Sequence, residues 1–298
     1  MFLARSFMNW KELTVAASRS AFPLHGRRAL GLAVLGLSAS GLSAPGLSAS
    51  AIRVMPRMRL GGTGVALGAL ERLRPMLRSE LGVELEITRG LGSQGGKSAV
   101  AAGRLDLSVS ARAPSATERG QPLAHHLWAS TPLVFGTHAD SAVDNLTSQQ
   151  AVGMIGGDIT RWEDGHRVRI TRRPSQDSDT ALLAGLSEAM DRAVAAMQCR
   201  PGVLTAVTDH DQAMALERSL GSFGVIGLGL IRSENRAIKP LMLDGRAPTD
   251  AAWPMHKSLV LVYRAQPDAA VSELRQLLCC QSAAALLLPS GFRVRGSA

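Results

Sequence analysis

Three short segments of small residues carry the chemistry that this sequence offers: Gly61-Gly62-Thr63-Gly64, Gly90-Leu91-Gly92-Ser93-Gln94-Gly95-Gly96 and Asp177-Ser178-Asp179-Thr180. Each stands where an apolar, strand-like run gives way to a helical pattern. A helix N-terminus presents unpaired N–H groups and a partial positive charge, and glycine lets a ligand approach the backbone. Ser and Thr hydroxyls add further donors. Three such ends converging would seat a tetrahedral oxyanion with no metal and no cofactor. Taken singly, each is also ordinary chemistry for a strand-to-helix turn. An arginine would anchor the anion, because its planar fork matches two oxygens and stays charged. Arg173 is the first candidate and Arg112 the second.

Other chemistries fit poorly. Gly95-Gly96-Lys97-Ser98 resembles the end of a phosphate-cradling loop, but that pattern needs glycine at position 91, where Leu91 stands. No G-x-S-x-G elbow precedes a helix, and the seven histidines show no paired metal spacing, so no enzyme is expected. His125-His126 suit a solvated loop. Asp209-His210-Asp211 could hold a metal, although a helix N-cap near Asp209 is the simpler reading. Cys199, Cys279 and Cys280 form no CxxC pair; the last two fit a helix over 272–288, and a disulfide from Cys199 to either is open.

The bulk numbers set the frame. The chain has 298 residues, 46% hydrophobic but only 4% aromatic, so its cores rest on Ala, Leu and Val. Net charge is +9, of which +4 falls in residues 1–51, leaving +5 for the rest. That surplus favours small anions. Nucleic acid is not expected, since dense basic runs with stacking aromatics are missing.

Arg27-Arg28 precede an uncharged run over 29–52 that ends near Ala49-Ser50-Ala51, the pattern of a secretory signal cleaved near Ala51. Within it lies a tandem GLSAx repeat over 36–50. The expected location is the periplasm. An uncleaved anchor is the other reading, since 24 uncharged residues could just cross a bilayer.

From Ile52 short apolar strands alternate with helical segments, which predicts an α/β fold. Strands are expected over 52–59, 83–89, 105–110, 167–171 and 203–207. Helices are expected over 65–81, where Leu67, Leu70, Leu73 and Leu77 keep helical spacing, over 97–102 and over 179–198. The apolar runs 133–136 and 258–263 lie far apart in sequence. Residues 223–231 form a Gly-rich apolar run.

The 90–96 turn and the following AVAAGRLDLSVSARAPSATE resemble the type II periplasmic binding proteins of the phosphate-binding family. The likeness continues through Leu146-Thr147 with residues 154–162, Arg173 with 177–180, Gly224–Gly227, Leu241 to Gly245, and Trp253-Pro254-Met255 leading into 259–263. It implies two α/β lobes joined by two hinge-crossing strands, 52–132 plus 259–298 and 133–258, closing on a solute. It also implies a monomer that binds a small anionic solute, phosphate first, for delivery to a membrane transporter. The alternative is a receptor-like signalling or envelope-complex protein of the same fold, with a sensor as partner. By the same resemblance Thr63, Gly64, Ser93, Arg173, Ser178 and Thr180 would line the pocket, with Asp179 beside them as a candidate acceptor for a proton-bearing ligand oxygen. Two positions depart from the family pattern: Ala111 and Arg112 stand where an Asp is usual, and Asp179 interrupts the S-G-T turn. Arg172 competes with Arg173 for the anchoring role.

Overall fold

The computed structural model describes residues 55–115 and 118–296. The expected signal sequence and the GLSAx repeat lie outside the described residues. In chain order the elements are β1 (Arg57–Gly62), α1 (Gly64–Leu81), β2 (Glu84–Thr88), α2 (Gly92–Ala101), β3 (Leu107–Ser110) and β4 (Leu123–His138). Then come β5 (Asn145–Leu146), α3 (Ser148–Gly156), β6 (Arg169–Arg172), α4 (Ser178–Ala184), α5 (Glu188–Cys199), β7 (Leu204–Thr205) and α6 (Asp209–Glu217). The chain closes with β8 (Ser222–Gly227), α7 (Leu228–Ser233), β9 (Ile238–Pro240), β10 (Met242–Leu243), β11 (His256–Arg264), α8 (Ala269–Leu278), α9 (Gln281–Leu287) and β12 (Arg293–Val294).

The strands run in the order β2-β1-β3-β11-β4-β8-β6-β7. On one side β1 pairs in parallel with β2 and β3, and on the other β6 pairs in parallel with β8 and β7. Between them β4 and β11 are antiparallel along their length, from His256 opposite Pro132 to Arg264 opposite Leu123. The two far-apart apolar runs thus lie in neighbouring strands at the centre of the sheet, although 258–263 pairs with 124–130 and not with 133–136. β4 is long enough to serve both sides: its first half pairs with β11, and Leu133–Gly136 pair with β8. One irregularity interrupts the crossing pair. Leu259 faces Ala129 and Val260 faces Leu127, so Trp128 is the residue left over. Its buried indole N–H donates to the Leu278 carbonyl at 2.7 Å, which holds the bulge against α8.

Helix α1 forms where the leucine spacing predicts it. Leu67, Leu70, Leu73 and Leu77 are wholly buried, each contributing about 1.5–3 kcal/mol by leaving water. Gly82, at φ 62°, ends it with its N–H on the Arg78 carbonyl.

Other expectations shift. The expected helix over 179–198 is two helices, because the chain turns at Gly185 and Ser187 caps α5 through its bond from the Met190 N–H. The expected helix over 272–288 likewise breaks: α8 stops at Leu278, and Cys280 caps α9 by accepting from the Ala283 N–H. All three cysteines are free. His125 and His126 lie inside β4, opposite Val262 and Leu261, and not in a solvated loop. A strand can carry them because both rings are only half-buried. The run 223–231 is a strand that turns directly into α7. No helix among the described residues is long and apolar enough to cross a membrane.

Candidate functional site

Strand β1 ends in Gly62, whose φ of 123° and close approach to Val109 exclude a side chain: an added Cβ would lie 2.1 Å from the Val109 carbonyl oxygen. Glycine there lets the chain turn sharply and start α1 at Gly64. A cavity of about 150 Å³ lies against this turn. Its wall includes Gly62-Thr63-Gly64, Gly90 to Ser93, Arg173, Asp177-Ser178, Thr208 to His210 and Lys257. The three small-residue turns therefore meet at one place, each from a different strand end.

The structure brings Thr63, Gly64, Ser93, Arg173 and Ser178 to this cavity, and places the other candidates elsewhere. Arg112 is spent on Glu118, at 3.0 and 2.6 Å, and on Gln94 at 2.7 Å. Lys97 joins the same Glu118 at 3.0 and 2.9 Å and is buried there, a structural use for the residue of the loop-like GGKS motif. Between these cations the Glu118 carboxyl is held down at about 2 even though burial opposes its ionisation; the Ser115 N–H, Arg112 and Lys97 supply the difference. Thr180 turns inward and its hydroxyl donates to the Pro174 carbonyl at 2.8 Å. Asp179 lies behind the wall, 1% exposed. Arg172 faces away, donating to Thr205 and to the carbonyls of Met197 and Gln198. That leaves Arg173 as the arginine of the site.

Two residues that the sequence did not single out for the site occupy its centre. Asp209 opens α6, whose cap is Thr208 paired with Asp211 in a reciprocal capping box. Freed from capping, the Asp209 carboxylate reaches across to the start of α1. Its Oδ2 accepts from the Val65 N–H at 3.1 Å and from the Thr63 hydroxyl at 3.0 Å. Its Oδ1 accepts from the Lys257 ammonium at 3.1 Å. Lys257, on β11 and 1% exposed, also lies 2.7 Å from Asp179 Oδ1, a close ion pair off the line of a hydrogen bond. Arg173 donates to Asp177 at 2.8 Å and to the Ala206 carbonyl at 2.9 Å. Its guanidinium stands 3.8 Å from Asp209 and 3.9 Å from Asp179, and its buried Nε has no hydrogen-bond partner.

Two cations therefore face three carboxylates, a surplus of one negative charge. Burial pushes the Asp179 carboxyl up to about 6, with Asp209 and Asp177 adding to it against the pull of Lys257. Asp209 goes the other way: burial opposes its ionisation, but Lys257, Arg173 and the Thr63 hydroxyl hold it below the usual carboxylate range. Lys257 is held above its ordinary value, because its carboxylate neighbours outweigh burial. Among the described residues no cluster of His, Cys, Asp and Glu could hold a metal, Asp209-His210-Asp211 included. His210 instead contacts Glu234 at 3.0 Å.

A family model described as a PBP superfamily domain matches residues 58–247. The chain belongs to that superfamily. Its fold is the two-lobed type II periplasmic-binding-protein fold, with β4 and β11 as the crossing strands. Among solved structures it is similar to a Clostridium perfringens protein assigned as a phosphate ABC transporter substrate-binding protein and solved with bound phosphate. The TM-score is 0.64 at 14% identity, over 81% of this chain and 100% of that one. It is also similar to a phosphate-binding protein from Stenotrophomonas maltophilia, with TM-score 0.60 and 12% identity over 81% and 91% of the two chains. A periplasmic molybdate-binding protein from Azotobacter vinelandii follows, with TM-score 0.56 and 17% identity over 79% and 98%. No curated protein matches by sequence.

Lys257 and Asp209 had weak signals in the sequence. Lys257 is one of only four lysines and opens an apolar strand, where a charge needs a partner. Asp209 stood out only as part of a D-H-D triplet.

Proposed function

We propose that this chain is an exported, periplasmic solute-binding protein that holds a small oxyanion between its lobes and delivers it to a membrane transporter. Lobe 1 comprises 52–132 plus 259–298, and lobe 2 comprises 133–258. One observation carries the reading. The donors gathered at the α1 terminus, namely the Val65 N–H, the Thr63 hydroxyl and the Lys257 ammonium, already bind a carboxylate of the chain itself. A donor set that satisfies one oxyanion is built for oxyanions. The neighbours named for phosphate and molybdate agree with that class, and phosphate is the first candidate.

A second reading has its own support. Because the seat is filled from within, the chain would also serve as a receptor-like signalling protein of the envelope with no small ligand. Thermal denaturation of the mature protein against phosphate, sulfate, molybdate and small carboxylates separates the two. A bound anion at 100 times its dissociation constant adds about 2.7 kcal/mol of stability. If every anion leaves the melting temperature unmoved at millimolar concentration, the carrier reading fails and the receptor reading takes its place.

A further inference from the structure

The position of Asp209 has a consequence for what this seat accepts. Its carboxylate arrives from the α6 side of the crossing strands and binds the α1 terminus on the other side, 144 residues away in sequence from Val65. The approach is tight: a Cβ added at Gly64 would stand 2.9 Å from the Asp209 Cβ and 2.9 Å from His210 Nδ1. The carboxylate accepts through both oxygens, one from a backbone N–H and a hydroxyl and the other from an ammonium. Those are the contacts a free anion would make, and one cation of the seat, Arg173, stands 3.8 Å from Asp209 through Nη2 and keeps an Nε with no hydrogen-bond partner.

We infer that Asp209 is the specificity-determining residue of the seat, a captive carboxylate that a solute anion must displace before it can bind. The inference rests on the anion-seat reading above, but not on whether the protein carries a solute. A tethered group competes at its effective concentration, which is millimolar or more for short connections and higher for a rigid one. Any free anion is therefore held off in proportion. The surplus negative charge of the seat acts in the same direction, so multiply charged anions are penalised most.

The test compares the mature wild type with Asp209→Ala and Asp209→Asn by melting and calorimetry, using sodium phosphate and sodium acetate at constant ionic strength. Without added anion, Asp209→Ala should melt below the wild type. Either anion should restore it, and its phosphate affinity should exceed that of the wild type by about a hundredfold. Asp209→Asn, which keeps the volume but loses the charge, should shift in the same direction by less, and it carries the test if the alanine variant does not fold. Two results overturn the inference: variants that are destabilised yet respond to neither anion, or a wild type that binds phosphate as tightly as the variants. An anion response confined to the variants upholds it and ends the carrier reading instead.

Discussion

The ammonium of Lys257 stands 2.7 Å from the carboxylate of Asp179, and each side chain is 1% exposed. A pair so far from water is costly to assemble and costlier to break, because the partner left behind keeps its charge without solvation. Lys257→Met should therefore destabilise the protein by about 3–5 kcal/mol, leaving Asp179 and Asp209 with Arg173 as the one cation near both. Urea denaturation at pH 7 measures it. A loss under about 1 kcal/mol would mean that water already reaches the cluster.

The pH dependence has a definite sign. The folded Asp179 carboxyl titrates at about 6, above its ordinary value, so the folded state holds its proton more tightly than the unfolded chain does. Its contribution is present in full below pH 4 and is lost as pH rises through 6. Glu118 works in the opposite sense: with its carboxyl at about 2, its contribution is present above the ordinary glutamate value and is lost as pH falls toward 2. Denaturation from pH 3 to 8 should show Asp179→Asn removing the loss of stability between pH 4 and 6. Glu118→Gln should remove part of the acid sensitivity below pH 4.5.

The two arginine candidates separate by location. Arg173→Ala should weaken anion binding by about 1.5–3 kcal/mol, the usual worth of a charge-assisted hydrogen bond. Arg112→Ala should leave binding unchanged and lower stability alone, since its partners are Glu118 and Gln94. Calorimetric titration with phosphate decides: equal losses from both variants would remove the assignment.

The chain recovered from the cell envelope should begin near Ile52. N-terminal sequencing that finds residues ahead of Arg27 would end the cleaved-signal reading.

The sequence was legible where a period or a turn chemistry repeats. The leucines of α1 recur at helical spacing, and the glycine turns at 61–64 and 90–96 sit at strand ends, so these elements and their convergence could be read in advance. β11 and the second half of β4 were visible as two apolar runs, but the first half of β4, which pairs with β11, was not, because His125 and His126 break its apolar character. The long helix expected over 179–198 failed at Gly185, where a single capping serine outweighs helical periodicity. The core of the site was hidden for a different reason. Asp209 and Lys257 have local sequence contexts that fit an exposed cap and a strand end. Only the tertiary crossing of β11 past α1 and α6 makes them partners, and no spacing rule encodes a contact between residues 48 positions apart.

The leftover residue in the crossing strands bears on how this molecule can flex. Every other pair along β4 and β11 is in register, so bending stress collects at Trp128 opposite Leu259 and Val260, as it does at a crease in a folded sheet. The indole bond to Leu278 pins the crease to the C-terminal end of α8. Lys257 sits two residues before that point. The ammonium that holds the Asp209 carboxylate is thus joined to the crease by two residues of strand, and any change in what it holds is felt there first.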